Sequence, residues 1–362
     1  MSKKTSSLHY IHYLALDKIL DAQNLVSNKK GDEAHEEMLF IIIHQTYELW
    51  FKQILHELNS TITLFKADKI DESNIGVIVN RMGRVNKIMT TLVDQIDILE
   101  TMTPLDFLDF RNYLSPASGF QSHQFRQLEV LLGLKIEKRH QTGGCPYHAQ
   151  FEGDKKEVIL NLEKNDSLFY LVEKWLERIP FLNLEEFDFI KKYESAVNKM
   201  LEKEIVEIKS AALTEKDKLL RIRMIDENRK YFERVLNKDQ HDQAILKGET
   251  KLSYKATMSA LLINLYRDQP ILHLPYQFLK SLVELDHKIS TWRFRHMQMV
   301  EKMLGQKIGT GGSSGQEYLK QTVDKHKLFT DLANIATLMI SRSYLPELPL
   351  NIKEKLGFNY IK

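Results

Sequence analysis

The chain has only one cysteine, Cys145, among its 362 residues, and charges of neither sign dominate it. A single thiol excludes an internal disulfide and a thiolate cage for a metal, and it is typical of a reducing compartment. Lys plus Arg number 51 and Asp plus Glu 49, so no basic excess points to nucleic acid or an anionic membrane surface. We therefore expect a cytoplasmic protein that binds neither nucleic acid nor membranes.

Long apolar runs and strand-like alternation are also scarce. The longest apolar run, residues 38–43, is far too short to span a membrane, and the first ten residues are mostly polar. Residues 181–269 contain no proline and one glycine, so long helices are permitted there. With 43% hydrophobic residues the chain has enough apolar side chains for a large core. The sequence predicts one all-α domain over residues 1–362, built as a large helical bundle. The helical spacing of residues 181–269 is illustrated by Leu184, Phe187, Ile190, Tyr193, Val197 and Leu201.

Two loops are expected to interrupt the helices. The first, residues 139–154, is predicted to end a helix that begins near Phe125. The second, residues 305–315, holds five of the fifteen glycines and separates a periodic helix from another predicted over residues 318–338. Such a bend exposes backbone N–H groups that can receive an anion, but a plain flexible connector fits the composition equally well.

One histidine occupies a core position on a predicted helix over residues 275–304. His296 lies one turn from Trp292 and one from Met299, on the apolar face. The commoner interpretation of a lone imidazole there is a packed, hydrogen-bonded core residue. The functional alternative is an axial ligand of heme iron, because imidazole binds iron and apolar walls suit a porphyrin. The stripe comprises Phe278, Leu282, Leu285, Ile289, Trp292, His296, Met299 and Met303.

A second histidine fills the same kind of position on a predicted helix over residues 36–65. His44 follows Phe40 by one turn and precedes Tyr47 on the apolar face. It could be a structural residue, a second axial ligand, or a hydrogen-bond partner for a molecule bound in the core. Two inward-facing imidazoles on two helices favour one shared pocket.

A di-iron carboxylate site is the obvious competitor in an all-helical protein. Such a site needs two Glu-x-x-His motifs, and the chain contains them at Glu137–His140 and Glu284–His287. His287 precedes His296 by nine residues and so faces about 180° away from the apolar stripe. Both motifs are predicted to be solvated, so we discount a di-iron site. Cys145 could be a thiolate heme contact, although an ordinary free thiol is the commoner interpretation.

Arg111 is surrounded by apolar side chains, and Ser118 follows in a turn. Arg111 could form an ion pair with Asp106 or Asp109, or it could bind a substrate carboxylate through its two-pronged guanidinium. Residues 115–119 end the helix and form a bend whose hydroxyl and N–H groups could line the same cavity.

Four segments of the chain closely resemble the tryptophan 2,3-dioxygenase family. They are HQTYELWFKQILHEL from His44, FRNYLSPASGFQSHQFR from Phe110, KLSYKA from Lys251 and WRFRHMQMVEKMLGQKIGTGGSSG from Trp292. The resemblance implies an all-α homotetramer that binds heme b, which is iron protoporphyrin IX. It also implies the first step of the kynurenine pathway, in which O₂ is inserted across the indole C2–C3 bond of L-tryptophan to give N-formyl-L-kynurenine.

The resemblance also implies roles around the heme and the indole. His296 would be the proximal iron ligand and Trp292 its neighbour. His44 would be the distal, catalytic residue, which accepts a hydrogen bond from the indole N–H. The apolar slot around the ring would comprise Phe40, Phe107 and Leu114.

Further roles concern the charged end of the substrate and the neighbouring subunit. Arg111 would bind the carboxylate, and Thr310 in the glycine-rich loop would bind the charged end groups. Ser118 would lie near the heme edge. Tyr10 and Tyr13, in an N-terminal arm of about residues 1–20, would reach the active site of an adjacent subunit.

The sequence departs from the family pattern at two points. Phe107 stands where some members have tyrosine, so carboxylate binding depends more on Arg111, and the CPYH segment at Cys145 has no assigned role. Two other functions stay open: a heme-binding sensor or carrier, and a related heme oxygenase with a different indole substrate.

Overall fold

The computed structural model describes most of the chain, and α-helices account for most of what it describes. The described residues are 8–67, 72–134, 147–184, 187–305, 307, 319–320, 322–323 and 326–357. Within these ranges the only strands are β1 (Asn183–Leu184) and β2 (Phe187–Asp188), which pair antiparallel with Asn183 opposite Asp188. The all-α prediction is therefore confirmed for the described part of the chain.

The N-terminal half contains three short helices followed by two long ones and four of medium length. They are α1 (Tyr10–Leu14), α2 (Leu16–Leu20), α3 (Val26–Lys30), α4 (Glu36–Lys66), α5 (Asn74–Leu99), α6 (Pro104–Arg111), α7 (His123–Leu132), α8 (Gly153–Lys164) and α9 (Leu168–Glu177).

The C-terminal half contains the longest helix. Its helices are α10 (Phe189–Ser210), α11 (Glu215–Leu236), α12 (Lys238–Leu246), α13 (Tyr254–Leu265), α14 (Pro270–Leu304), α15 (Thr330–Asn334) and α16 (Leu350–Leu356). Short 3₁₀ turns lie at Asn112–Leu114, Gly119–Gln121, Tyr147–Gln150, Pro180–Leu182, Ile335–Leu338 and Arg342–Tyr344.

Helices α4, α5 and α14 pack side by side and form the centre of the molecule. Asn86 of α5 donates a hydrogen bond of 2.9 Å to the Ser281 carbonyl of α14. The Tyr47 hydroxyl of α4 donates one of 2.7 Å to the Leu92 carbonyl of α5. These bonds satisfy polar groups at interfaces that are otherwise apolar.

The predicted apolar stripes are buried along both long helices. On α14, Phe278, Leu282 and Leu285 are at most 1% exposed, and on α4 Leu58 is fully buried. A large core extends along these helices, and a smaller apolar cluster lies at one end of the α4–α5–α14 layer. The buried members of the smaller cluster are Ile43, Ile96, Leu99, Met102, Phe110, Met299 and Met303.

Helix boundaries differ from the predictions at two places. Leu184 and Phe187 lie in β1 and β2, because the Asp188 side chain accepts the Lys191 N–H and so starts α10 at Phe189. The helix predicted at 275–304 begins earlier, at Pro270, and passes through Pro275.

The continuous helix predicted over residues 318–338 is wrong. Residues 326–329 are not helical, because the N–H groups of Leu328 and Phe329 donate to the Asp286 carboxylate at 2.9 and 3.1 Å instead of to helix carbonyls. Helix α15 begins only at Thr330.

The helix predicted near Phe125 begins two residues earlier and ends at Gly133. Gly133 has a φ of 110°, and a Cβ there would lie 2.8 Å from the Phe169 Cβ, so only glycine fits this C-cap. Among the described helices, none is both long and apolar enough to cross a membrane.

Candidate active site

A cavity of about 790 Å³ opens between α4, α6, α7 and α14. This size lies within the range of about 300–1,000 Å³ that is usual for small-molecule and cofactor sites. Most of its walls are apolar, and they include the smaller apolar cluster. Eight residues singled out in the sequence line it: Phe40, His44, Phe107, Arg111, Leu114, Ser118, Trp292 and His296.

His44 enters the cavity from α4 with its tautomer fixed by the backbone. Its Nδ1 lies 2.7 Å from the Phe40 carbonyl oxygen, one turn earlier. Because a carbonyl only accepts hydrogen bonds, Nδ1 carries the proton and Nε2, on the other side of the ring, is the acceptor. Burial lowers the pKa of His44, with the Phe40 bond and the Glu48 charge opposing it. The ring is therefore a neutral hydrogen-bond acceptor at neutral pH.

His296 enters the same cavity from α14. Burial, aided by the proximity of His44, lowers the pKa of His296 to about 4. The ring of Trp292, one turn earlier, stacks on that of His296 with centroids 5.6 Å apart and planes 12° apart. Trp292 in turn contacts Phe125 at 5.1 Å and Phe51 at 6.1 Å, which fixes its orientation. The site thus presents a neutral, oriented imidazole, which is the form that binds a metal.

Aromatic rings form one corner of the cavity. The ring centroid of Phe40 lies 5.8 Å from that of Phe107, 5.5 Å from that of Phe110 and 4.1 Å from that of His44. Phe107 and Phe110 meet edge to face at 5.4 Å. Such ring packing offers a flat apolar wall beside the Nε2 acceptor of His44.

Arg111 lies in the last turn of α6, half-buried at the cavity wall. The start of α6 is a capping box, in which the Asp106 carboxylate accepts the Thr103 backbone N–H at 3.1 Å and the Thr103 hydroxyl at 2.5 Å. Asp109 is exposed and two residues from Arg111, a spacing at which helical side chains do not face each other. Neither Asp106 nor Asp109 is therefore placed as the ion-pair partner that the sequence suggested for Arg111, and the guanidinium borders the cavity.

Ser118 lies at the start of a 3₁₀ turn that borders the cavity, and its hydroxyl accepts the Phe120 N–H at 3.4 Å. The turn is anchored by Glu48 of α4, one turn after His44. The Glu48 carboxylate accepts the Ser122 hydroxyl at 2.5 Å and the Gln124 side-chain amide at 2.8 Å. The anchoring role of Glu48 was not predicted from the sequence.

The structure does not bring Tyr10 and Tyr13 to this cavity. They lie on α1, with 70% and 69% of their surfaces exposed. Thr310, His140 and Cys145 lie outside the described residues. His287 is exposed, as predicted, and neighbouring Glu284 forms an ion pair of 2.7 Å with Lys288.

Comparison with known proteins identifies the family. A sequence model of tryptophan 2,3-dioxygenases matches residues 1–339. The chain belongs to the tryptophan 2,3-dioxygenase family. It is 44% identical to the tryptophan 2,3-dioxygenase of Bdellovibrio bacteriovorus, over 99% of this chain and 100% of the relative.

Eukaryotic relatives are equally similar. The tryptophan 2,3-dioxygenase of Dictyostelium discoideum is 46% identical over 97% of this chain and 88% of its own length. That of Rattus norvegicus is 45% identical over 94% of this chain and 84% of its own length. The predicted family membership is thus confirmed across nearly the whole chain.

A buried ionic cluster beside the cavity of this dioxygenase-family chain was missed at the sequence level. The Glu129 carboxylate accepts Arg126 Nη1 at 2.6 Å and Arg293 Nη2 at 2.7 Å, and His326 Nδ1 lies 3.4 Å away. Burial would raise the pKa of Glu129, but Arg126, His326 and Arg293 outweigh it and hold that pKa well below its usual range. The only local signal was the i, i+3 spacing of Arg126 and Glu129. Arg293 comes from 164 residues away.

Proposed function

We propose that the chain is a heme-dependent dioxygenase that converts L-tryptophan and O₂ to N-formyl-L-kynurenine. One observation carries this proposal: a single cavity in a tryptophan 2,3-dioxygenase family chain gathers His296, His44 and Arg111 around an aromatic wall. The reaction adds both oxygen atoms across the indole C2–C3 bond and cleaves that bond.

The residues of the cavity fit heme b. His296 would hold the iron, since its imidazole is neutral and its surroundings are apolar. Trp292 would keep the ligating ring in orientation through their parallel contact. Ser118 would lie at the heme edge. Bound heme supplies the activation of O₂, while the protein supplies placement and exclusion of water.

The indole would bind in the slot formed by Phe40, Phe107 and Leu114. His44 Nε2 would accept the hydrogen bond of the indole N–H, because Nδ1 already donates to the Phe40 carbonyl. His44 orients the ring and does not need to deprotonate it, so its contribution is geometric. The apolar walls keep water from the reacting bond.

The charged end of tryptophan would lie toward α6. Arg111 would form a bidentate pair with the carboxylate, and Thr310 would bind the end groups from the glycine-rich loop. With phenylalanine at 107, where some family members have tyrosine, carboxylate binding would depend more on Arg111.

We also propose one domain over residues 1–362 that assembles as a homotetramer in the cytoplasm. The arm of about residues 1–20 would bring Tyr10 and Tyr13 to an adjacent subunit's site. Apolar side chains on α1 support this, with Tyr10, Ile11, Tyr13 and Leu14 each at least 37% exposed. Light scattering should give the mass of four chains, and removal of the arm should lower it.

Turnover of the heme-loaded protein tests the proposed activity. The protein is reduced without oxygen, L-tryptophan is added, air is admitted, and the absorbance of N-formylkynurenine is followed. Product formation is expected, with none from the apo-protein. Reversible O₂ binding without product would make the protein a sensor or carrier, and product from another indole only would change the substrate.

A further inference from the structure

The buried ionic cluster of Arg126, Glu129, Arg293 and His326 joins three parts of the chain that are distant in sequence. Arg126 and Glu129 belong to α7, Arg293 to α14, and His326 to the segment that follows the glycine-rich loop. All four residues are at most 6% exposed. Arg293 also donates from Nη1 to the His326 carbonyl at 3.3 Å. The three parts thus meet at Glu129, which accepts hydrogen bonds from Arg126 and Arg293 and lies 3.4 Å from His326 Nδ1.

The cluster lies against both sides of the cavity. Arg293 follows Trp292 directly and precedes His296 by one turn, and Glu129 and Arg293 themselves line the cavity. Leu319 and Thr322, a few residues before His326, line it too. The cluster therefore lies between the helix that bears His296 and the segment that contributes Leu319 and Thr322 to the cavity.

Independent bonds fix the chain just beyond His326. The Asp286 carboxylate of α14 accepts the Leu328 and Phe329 N–H groups. The Lys251 Nζ, in the KLSYKA segment, donates to the Lys327 and Leu328 carbonyls at 2.9 and 3.2 Å. These bonds hold residues 327–329 independently of Glu129, whereas His326 itself contacts the Glu129 carboxylate and Arg293.

We propose that Glu129 is a positioning residue for the tryptophan site, which holds the cavity wall at Leu319 and Thr322 against the helix of His296 through Arg293 and His326. This inference rests on the proposed function, since it concerns closure of the cavity around tryptophan. Glu129 does not touch the reacting atoms in this scheme. Its carboxylate is required because two guanidinium groups converge on it, and a neutral group of the same shape would leave them buried without that charge.

The test compares Glu129→Gln with Glu57→Gln as a matched control. Glu57 of α4 is a buried carboxylate, 4% exposed, that pairs with Arg84 of α5 at 2.6 Å. It does not border the cavity. Both variants lose the charge of an ion pair with arginine and should lose stability, although the Arg84 side chain is 58% exposed and that of Arg293 5%. Glu129→Asp, which keeps the charge with a shorter side chain, serves as the conservative variant.

We expect Glu129→Gln to retain heme and to raise the KM for L-tryptophan by about 10- to 100-fold. This is the usual loss when a residue that orients the groups in a site, without touching the ligand, is replaced. Its kcat should change far less, and Glu129→Asp should recover part of the KM. Amide hydrogen exchange of the heme-free protein should accelerate in peptides that contain Leu319, Thr322 and His326 in Glu129→Gln and not in Glu57→Gln. Glu57→Gln should keep the parent KM.

The two arms separate this inference from the proposed function. If the parent forms no N-formylkynurenine, the proposed function fails, while hydrogen exchange still decides whether Glu129 holds the wall. If the parent is active and Glu129→Gln keeps the parent KM, or resembles Glu57→Gln in exchange, Glu129 is only a stabilising ion-pair residue and the inference is wrong.

Discussion

Helices α4 and α14 present one histidine each to the same cavity, from the same kind of position on an apolar stripe. His44 donates through Nδ1 to a carbonyl of its own helix. His296 makes no side-chain hydrogen bond within the described part of the chain and stacks on Trp292 instead. The stripe explains why both rings point inward. The second contact of each ring decides its chemistry.

The difference matches the roles proposed for the two rings, a hydrogen-bond acceptor for His44 and a metal ligand for His296. A ring whose Nδ1 is occupied by a backbone carbonyl offers only Nε2, in a fixed direction, which suits recognition of one N–H group. A neutral ring held by stacking keeps its lone pair for a metal, and its pKa of about 4 preserves that form under mildly acidic conditions. Four experiments test this contrast between the two histidines.

His296→Ala should have the largest effect. Removing a residue that only hydrogen-bonds to a metal ligand typically weakens metal binding by about 10- to 100-fold. Removing the proposed ligand itself should weaken heme binding by more than that. Titration of the apo-protein with hemin, followed by the Soret band, measures this affinity. His287→Ala, an exposed position on the same helix, is the control and should bind heme like the parent. A full Soret band with an unchanged axial-histidine signature in His296→Ala would reverse the assignment.

Arg111→Leu should have the next largest effect and should leave both histidines intact. Loss of one partner of a buried charge pair costs about 2–5 kcal/mol, or about 30- to several-thousand-fold in affinity. We expect this loss in KM and kcat/KM for L-tryptophan, with heme content unchanged. Indoles without a carboxylate should show no such loss.

An ion-pair role for Arg111 predicts a different outcome. Asp109→Asn tests it, because removing a partner carboxylate would then mimic Arg111→Leu. Unchanged tryptophan affinity in Arg111→Leu, or its unfolding without heme, would assign Arg111 to a structural pair.

His44→Ser should retain heme and lose a moderate part of its activity. The replacement removes one hydrogen bond to the indole N–H, worth about 0.5–3 kcal/mol, or about 2- to 150-fold in kcat/KM. The parent and the variant should differ much less with 1-methyltryptophan, which has no N–H to donate. An equal loss with both substrates would show that His44 does not accept this bond.

The smallest effect concerns the stability of the apo-protein toward acid. The folded pKa values of His296, His44 and His326 lie below the usual histidine value of about 6.5, with burial as the first cause in each. As pH falls below about 6.5, the unfolded chain therefore binds protons before the folded one, and stability decreases.

The contribution of His296 to this decrease should be up to about 1.4 kcal/mol per pH unit and should end near its folded pKa. Urea unfolding between about pH 7 and about pH 5 measures the slope. His296→Ala should have a shallower slope than the parent. Equal slopes would mean that the His296 pKa is not lowered in the apo-protein.

Local periodicity predicted much of the fold. The stripes on α4 and α14 gave the buried faces and the inward direction of His44 and His296, because a regular helix repeats every 3.6 residues. The wall of Phe40 and Phe107 followed from family resemblance, and the structure brings these rings together. The roles of all the site residues, including Tyr10, Tyr13 and Thr310, stay predictions.

Elsewhere, tertiary contacts determine features that the local sequence pattern did not predict. Asp286 ends the predicted helix of residues 318–338 by binding the N–H groups of Leu328 and Phe329, and no pattern near residue 328 indicates this. The cluster around Glu129 likewise depends on partners separated by 164 residues or more, namely Arg293 and His326. Such pairings become visible only once the helices are packed.

The cavity walls run from Ala22 to Thr322 along the chain. A chain emerging from the ribosome can therefore form α4 and α5 early, but it has no complete cavity until α14 and the segment after it have been synthesised. Contacts between residues about 300 positions apart form more slowly than the helices, because bringing the ends of such a long loop together costs conformational entropy. Heme would accordingly be captured late, and any truncation before α14 would remove His296 together with the central helix of the core.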